Sequence, residues 1–137
     1  MSIISSTMRR TWAEISIDSL INNYNVIRSH ISDKTMLCCV IKANAYGHGA
    51  VAVAKHLEKE VYAFAVATFE EAVELRENGI TNPILILGYI EPENAKEAEK
   101  LNITVSVGDV EYAEKLFKYG SPDAHLQIDT GMSRMGI

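Results

Sequence analysis

The sequence predicts an α/β protein built around a parallel sheet, and three observations carry that reading. Five short apolar runs rich in β-forming residues, Met36–Lys42, Tyr62–Ala67, Ile84–Gly88, Ile103–Val107 and Ala124–Asp129, begin roughly every 20 to 26 residues. Longer charged stretches with helical spacing separate them, the order that produces strand–helix–strand crossovers. The first three runs are continuously apolar rather than alternating, as expected of strands covered on both faces.

The helical segments have readable ends. An opening helix can be capped by Asp18 and places Leu20, Tyr24, Ile27 and Ile31 on one face. Thr68-Phe69-Glu70-Glu71 has the spacing of a capping box, and Asn78-Gly79 supplies a residue able to take the left-handed conformation that ends a helix. Asp109 to Tyr119 reads as another helix, closed at Gly120. Right-handed crossovers between five such units build either an open doubly wound sheet or part of a closed (β/α)8 barrel, and periodicity does not choose between them.

Composition narrows the function classes. A chain of 137 residues, 47% hydrophobic and 23% charged, has the make-up of one globular unit, with no low-complexity linker or composition shift to mark a second. The net charge of -5 comes from interleaved acidic and basic residues, so no basic stripe suits a nucleic-acid backbone. Apolar runs such as Met36 to Ile41 and Ile84 to Leu87 fall far short of the roughly 20 residues that cross a bilayer, and no secretory apolar region opens the chain. A cytoplasmic location with no membrane partner is therefore expected. Cys38 and Cys39 are adjacent in a strand and point to opposite faces, which predicts two reduced, packed thiols and no disulfide. No second Cys/His cluster accompanies them, so no metal site is expected.

The chemistry concentrates in two stretches. In Val40-Ile41-Lys42-Ala43-Asn44-Ala45-Tyr46-Gly47-His48-Gly49, Lys42 stands at the last position of a buried parallel strand, the sheet edge where α/β folds place their active sites. Partial desolvation there favours the neutral amine, the form that attacks a carbonyl or abstracts a proton. The plainer alternative is a lysine that snorkels out of the strand end. Gly47 and Gly49 let the backbone turn sharply into the next helix, and Tyr46 can offer a phenol to a phosphate. In Leu126-Gln127-Ile128-Asp129-Thr130-Gly131-Met132-Ser133-Arg134-Met135-Gly136, a strand again runs into a glycine-containing turn, so that Arg134 can project over the same edge. Its planar fork suits a carboxylate or a phenolate oxygen, although a solvated loop arginine is the plain alternative. Asp129 is expected to brace that turn through nearby backbone amides rather than to do chemistry.

These residues resemble a known family. The stretch ending Lys42-Ala43-Asn44-Ala45-Tyr46-Gly47-His48-Gly49 is similar to the cofactor-lysine signature of alanine racemases, and Asp129-Thr130-Gly131-Met132-Ser133-Arg134-Met135-Gly136 is similar to their arginine loop. Arg10-Thr11-Trp12-Ala13-Glu14-Ile15 resembles the family's start, so three ordered matches cover nearly the whole chain.

The resemblance implies a fold-type III pyridoxal 5'-phosphate enzyme. Such an enzyme has an N-terminal (β/α)8 barrel and a C-terminal β domain, works as a homodimer, and interconverts L-alanine and D-alanine to supply D-alanine for cell-wall peptidoglycan. It implies that Lys42 carries the cofactor and acts as acid and base on one face of the substrate. Tyr46 would contact the phosphate, and Leu87, in Ile84-Leu85-Ile86-Leu87-Gly88, would line the cofactor pocket. Arg134 would approach the cofactor's phenolic oxygen and the substrate carboxylate. The second catalytic base in the family is a tyrosine from the partner subunit's C-terminal domain. Related readings are a racemase of other amino acids such as serine, or a non-catalytic pyridoxal-phosphate-binding protein.

Two departures accompany the resemblance. Many family members carry a carbamylated lysine two residues before the Asp-Thr-Gly; here Gln127 stands there, and is expected to orient Arg134 through a hydrogen bond to its side-chain carbonyl, without negative charge. A (β/α)8 barrel needs about 250 residues. The expectation is therefore an N-terminal piece, residues 1–137, supplying about five of eight strand–helix units, with the rest of the barrel and the β domain absent and little racemisation from the isolated chain.

Overall fold

A computed structural model describes residues 13–137 of the protein; Arg10, Thr11 and Trp12, which opened the family resemblance, lie outside the described residues. The five expected strands form, each shorter at its ends or equal to its apolar run: β1 (Cys38–Val40), β2 (Ala63–Val66), β3 (Ile84–Ile86), β4 (Ile103–Val107) and β5 (Ala124–Leu126). All neighbours pair in parallel, and their order across the sheet is β1-β2-β3-β4-β5. Spatial order therefore equals chain order, with each crossover stepping one place in the same direction. A doubly wound sheet reverses direction at a switch point, whereas a barrel never does. The sheet is thus an arc of a (β/α)8 barrel, partial and all-parallel, which decides between the two architectures that periodicity left open.

Between and before the strands lie α1 (Ile17–Ser29), α2 (Lys42–Tyr46), α3 (Ala50–Leu57), α4 (Phe69–Glu77), a 3-10 turn (Pro92–Asn94) leading into α5 (Ala95–Lys100), and α6 (Val110–Leu116). The core is the layer between sheet and helices. Phe64 pairs in register with Ile84 and Ile84 with Ile103, making a continuous row that is completely or almost completely buried. The helices cover it with small and branched side chains at helical spacing: Val53, Ala54 and Leu57 from α3, Ala72 and Leu75 from α4, Ala95 and Ala98 from α5. On the opposite face of the sheet Ala63, Ala65 and Ser106 are buried. Leu85 and Thr104 on that face are only half-buried, and with Cys38, Tyr62 and His125 they line an open cavity of about 530 Å³.

The edges differ from expectation. Strands β2, β3 and β4 are covered on both faces or nearly so, but in β1 Cys38 and Val40 are exposed, and all of β5 is exposed. Each edge strand lacks a neighbour on one side, so its apolar residues have nothing to pack on there. The thiols reflect this: both cysteines are free, Cys39 packs against the core, and Cys38 is exposed. Burial, with the neighbouring Cys38 adding to it, pushes the half-buried Cys39 thiol above the ordinary cysteine range.

Helix ends follow local chemistry, with two corrections. Ser16 rather than Asp18 caps α1, its hydroxyl accepting from the Ser19 amide at 3.2 Å, while Asp18 sits in the first turn. Leu20, Ile21 and Tyr24 pack against the core, but Ile27, in the last turn of α1, is 57% exposed. Thr68 and Glu71 form the expected capping box on α4, and the Asp109 carboxylate accepts from the Tyr112 amide at 2.7 Å to start α6. Helix α6 ends at Leu116, short of Tyr119. Gly120 serves a different need, since a Cβ there would lie 2.6 Å from the Lys96 amide nitrogen.

At the N-terminal edge of the sheet, Arg76 ties three segments together. Its Nε donates to Leu101 O at 2.9 Å, Nη1 to Ile80 O at 2.7 Å and Asn82 O at 2.8 Å, and Nη2 to Asn102 O at 2.9 Å. The guanidinium fork thereby holds the chain just before β3 and just before β4. Arg76→Ala strands four carbonyls and is expected to cost about 2–3 kcal/mol in urea denaturation. Arg76→Lys should recover less than half of that, because one ammonium cannot reach all the acceptors.

Candidate active site

The lysine stretch leaves the sheet in an uncommon way. Pairing continues one residue past β1, with the Ile41 amide donating to Ala65 O at 2.9 Å, and Ile41 is buried. Lys42 is the next residue and opens α2, so it stands just beyond the strand rather than at its last position. It remains at the C-terminal edge and is half-buried. Ala43, Asn44, Ala45 and Tyr46 then take φ values of 50, 54, 53 and 55°, so α2 is a left-handed turn. Four consecutive non-glycine residues in that region cost roughly 1–2 kcal/mol each. The surroundings must hold them there.

Three contacts do so. Ala45 is buried in the core and its amide donates to Ile41 O at 2.8 Å. The Asn44 side-chain carbonyl accepts from the Ala50 amide at 2.8 Å, capping α3 where Gly49 has no side chain to offer. The Glu71 carboxylate accepts from the Ala43 amide at 2.6 Å through Oε1. Gly47, at φ +89°, closes the turn; a Cβ there would meet nothing within 4 Å, so glycine answers the backbone conformation and not the space. Tyr46 is 62% exposed, with its phenol turned away from the core. The sequence assigned Glu71 only to the capping box, and its reach to Ala43 was missed. Its position, five residues past the end of β2, the strand adjacent to β1, was the available signal.

At the end of β3, Leu87 is half-buried; its amide donates to Val66 O at 2.8 Å, and its carbonyl accepts from Gln127 Nε2 at 3.1 Å. The arginine loop beyond β5 folds back on itself: the Ile137 amide donates to Gln127 O at 3.1 Å and the Asp129 amide to Ile137 O at 2.9 Å. Gly136 fits between, where a Cβ would lie 2.8 Å from the Asp129 nitrogen. Asp129 braces the loop as expected, Oδ1 accepting from the Gly131 and Ser133 amides at 2.9 Å each. Arg134 is exposed on this loop. The expected bond from Arg134 to Gln127 does not form. The Gln127 amide group is turned to Leu87, and its Oε1 is buried without a partner among the described residues.

Lys42, Leu87 and Arg134 thus stand beyond the C-terminal ends of β1, β3 and β5, on one edge of the parallel sheet. A direct bond links the β3 and β5 ends through Leu87 and Gln127, whereas none joins Lys42, Tyr46 and Arg134 to one another among the described residues. The ion pairs found among the described residues, Arg28–Asp33, Glu97–Lys100 and Glu111–Lys115, lie elsewhere and leave Lys42 and Arg134 without a carboxylate. An amine, a phenol and a guanidinium with no neutralising partner suit an anionic ligand bearing an electrophilic carbon.

The Asp129 brace makes the loop pH-dependent. Hydrogen bonds from the Ser133 and Gly131 amides hold the carboxyl below its ordinary range. A depressed value in the folded state means the brace is intact above the unfolded value of about 3.9 and is lost as pH falls through the lowered one. Protection of the Gly131 and Ser133 amides from hydrogen exchange, corrected for intrinsic rates, should collapse in that acid window, and Asp129→Ala should remove it at every pH.

Comparison with known proteins agrees with this geometry. The family model described as alanine racemase, N-terminal domain, matches residues 15–137. Alanine racemase 2 of Caldanaerobacter subterraneus subsp. tengcongensis is 44% identical over 135 residues, which are 94% of this chain and 35% of that protein. Among solved structures, the alanine racemase of Clostridium difficile is 46% identical with a TM-score of 0.88, over 95% of this chain and 36% of the other. That of Bacillus anthracis with bound L-Ala-P is 36% identical with a TM-score of 0.88, over 94% and 35%. The chain therefore spans little more than a third of the length of these relatives. With the family model covering residues 15–137 and the folds superposing so closely, the chain belongs to the alanine racemase N-terminal domain family.

Proposed function

We propose that the protein carrying this chain is a pyridoxal-phosphate-dependent alanine racemase, with residues 1–137 as the first five strand–helix units of its cofactor-binding barrel. The observation that supports it most is Lys42, half-buried at the C-terminal sheet edge on a left-handed turn and without an ion-pair partner among the described residues. The remainder of the barrel, the β domain, the partner subunit of a homodimer and the second catalytic base lie outside this chain. No helix among the described residues is long and apolar enough to cross a membrane, which accords with a cytoplasmic role in making D-alanine for the cell wall.

The donor set fits pyridoxal 5'-phosphate, an anion with an aldehyde and a phenolic oxygen. Lys42 would carry it through the ε-amine, Tyr46 would donate to the phosphate, Leu87 would form part of the apolar wall, and Arg134 would pair with the phenolic oxygen and the substrate carboxylate. Bound there, the cofactor supplies an electron sink that acidifies Cα of an amino acid. Once the substrate's amino group had displaced the lysine from the aldehyde carbon, the freed Lys42 amine would act as acid and base on one face of Cα, and Arg134 would pair with the carboxylate.

The test is spectroscopic and kinetic. Adding pyridoxal phosphate should raise a visible absorption band, and borohydride reduction followed by peptide mapping should place the label on Lys42. Lys42→Ala should lose the band and lower alanine racemisation by at least about 100-fold. A label on another lysine, or racemisation that survives the substitution, would overturn the assignment.

A further inference from the structure

We infer that Glu71 is a positioning residue for Lys42, fastening the lysine turn to the end of the neighbouring strand; this rests on the proposed role of Lys42. The distances separate this role from ordinary helix capping. A capping-box glutamate reaches back to the amide of the residue that caps the helix, which here is Thr68 at 3.4 Å, the longest of the bonds to this carboxylate. The two short bonds go elsewhere: Oε1 accepts from the Ala43 amide at 2.6 Å and Oε2 from the Ala67 amide at 2.7 Å. Both are shorter than an ordinary N–H···O bond of about 2.9 Å, as a charged acceptor makes them.

The partners matter as much as the lengths. Ala67 is the first residue after β2, and Ala43 is the first left-handed residue after Lys42, at φ +50°. One carboxylate thereby spans the C-terminal ends of β1 and β2, each oxygen holding one of them. The peptide that it grips on the β1 side joins Lys42 to Ala43, so rotation of that peptide would swing the lysine. A residue twenty-eight positions from Ala43 thus fixes the backbone from which the lysine side chain projects. Glutamine is a poor substitute, because one of its two terminal groups is a donor and would face an N–H. Aspartate is one methylene shorter and cannot span both ends.

Thr68 provides the control. Thr68→Ala removes the hydroxyl that accepts from the Glu71 amide at 3.4 Å, weakening the cap while leaving the carboxylate on Ala43 and Ala67. The experiment compares wild type, Thr68→Ala, Glu71→Gln and Glu71→Ala in the protein carrying this chain. It reads hydrogen exchange at the Ala43 amide without cofactor, and the rate at which the visible band and the borohydride-trapped label on Lys42 appear after adding pyridoxal phosphate. Circular dichroism checks folding, and should Glu71→Ala not fold, the near-isosteric Glu71→Gln carries the test. Both Glu71 variants are expected to expose the Ala43 amide and to slow labelling of Lys42 by roughly 10- to 100-fold, the scale set by small misplacements of reacting groups. Thr68→Ala should leave both readings near wild type. Wild-type exchange and labelling in Glu71→Gln would overturn the inference, as would equal losses in Thr68→Ala, which would reduce Glu71 to a cap. Failure of the wild type to take label at Lys42 would instead overturn the role of the lysine, and the inference with it.

Discussion

The buried row Phe64–Ile84–Ile103 fixes the register on which the rest of the molecule depends. In a strand, a slip of one residue exchanges the two faces, and here it would carry these side chains from beneath the helices to the opposite face. With the row locked, the residue at which each strand ends is locked too. Lys42, Ala67, Leu87 and Gln127 all emerge within two residues of a strand's last position, at one common edge. The chemistry at that edge is thus a consequence of apolar packing in the middle of the sheet.

The two edges of the sheet are built differently. At the N-terminal edge, Arg76 satisfies carbonyls from the loops that enter β3 and β4, which is a purely structural use of a charged group. At the C-terminal edge, the backbone is bent into conformations that nothing local favours, and carboxylates hold it there. Glu71 holds the turn after Lys42, and Asp129 holds the loop that carries Arg134. In both cases an acidic side chain is consumed by backbone amides, while the neighbouring cation is left without a carboxylate of its own. Acids that would otherwise neutralise the site are occupied with shaping it.

Much of this was legible in the sequence. The five strands, the capping box at Thr68 and Glu71 and the Asp129 brace all arise from interactions within a few residues, and short-range patterns report those well. The barrel order was not legible from periodicity, because strand order is a property of long-range pairing; the family resemblance supplied it. Three misreadings share that origin. The exposure of Cys38, Val40 and β5 depends on what lies beside an edge, not on the residues in it. Gln127 turned to Leu87 instead of Arg134 because β3 and β5 end close together. The left-handed run from Ala43 to Tyr46 has no propensity signal at all, since alanine and tyrosine do not favour it, and only its supports from Asn44, Glu71 and the core make it stable.

A sheet whose spatial order is its chain order has a further consequence for how it forms. Within the arc every strand pairs only with those next to it in sequence, so the contacts that build it close loops of about twenty residues. Short loops cost little entropy to close and fold quickly. On a ribosome, each unit can add to the growing sheet as it emerges, and β1, with its lysine turn, can be seated against β2 while the C-terminal strands are still being made.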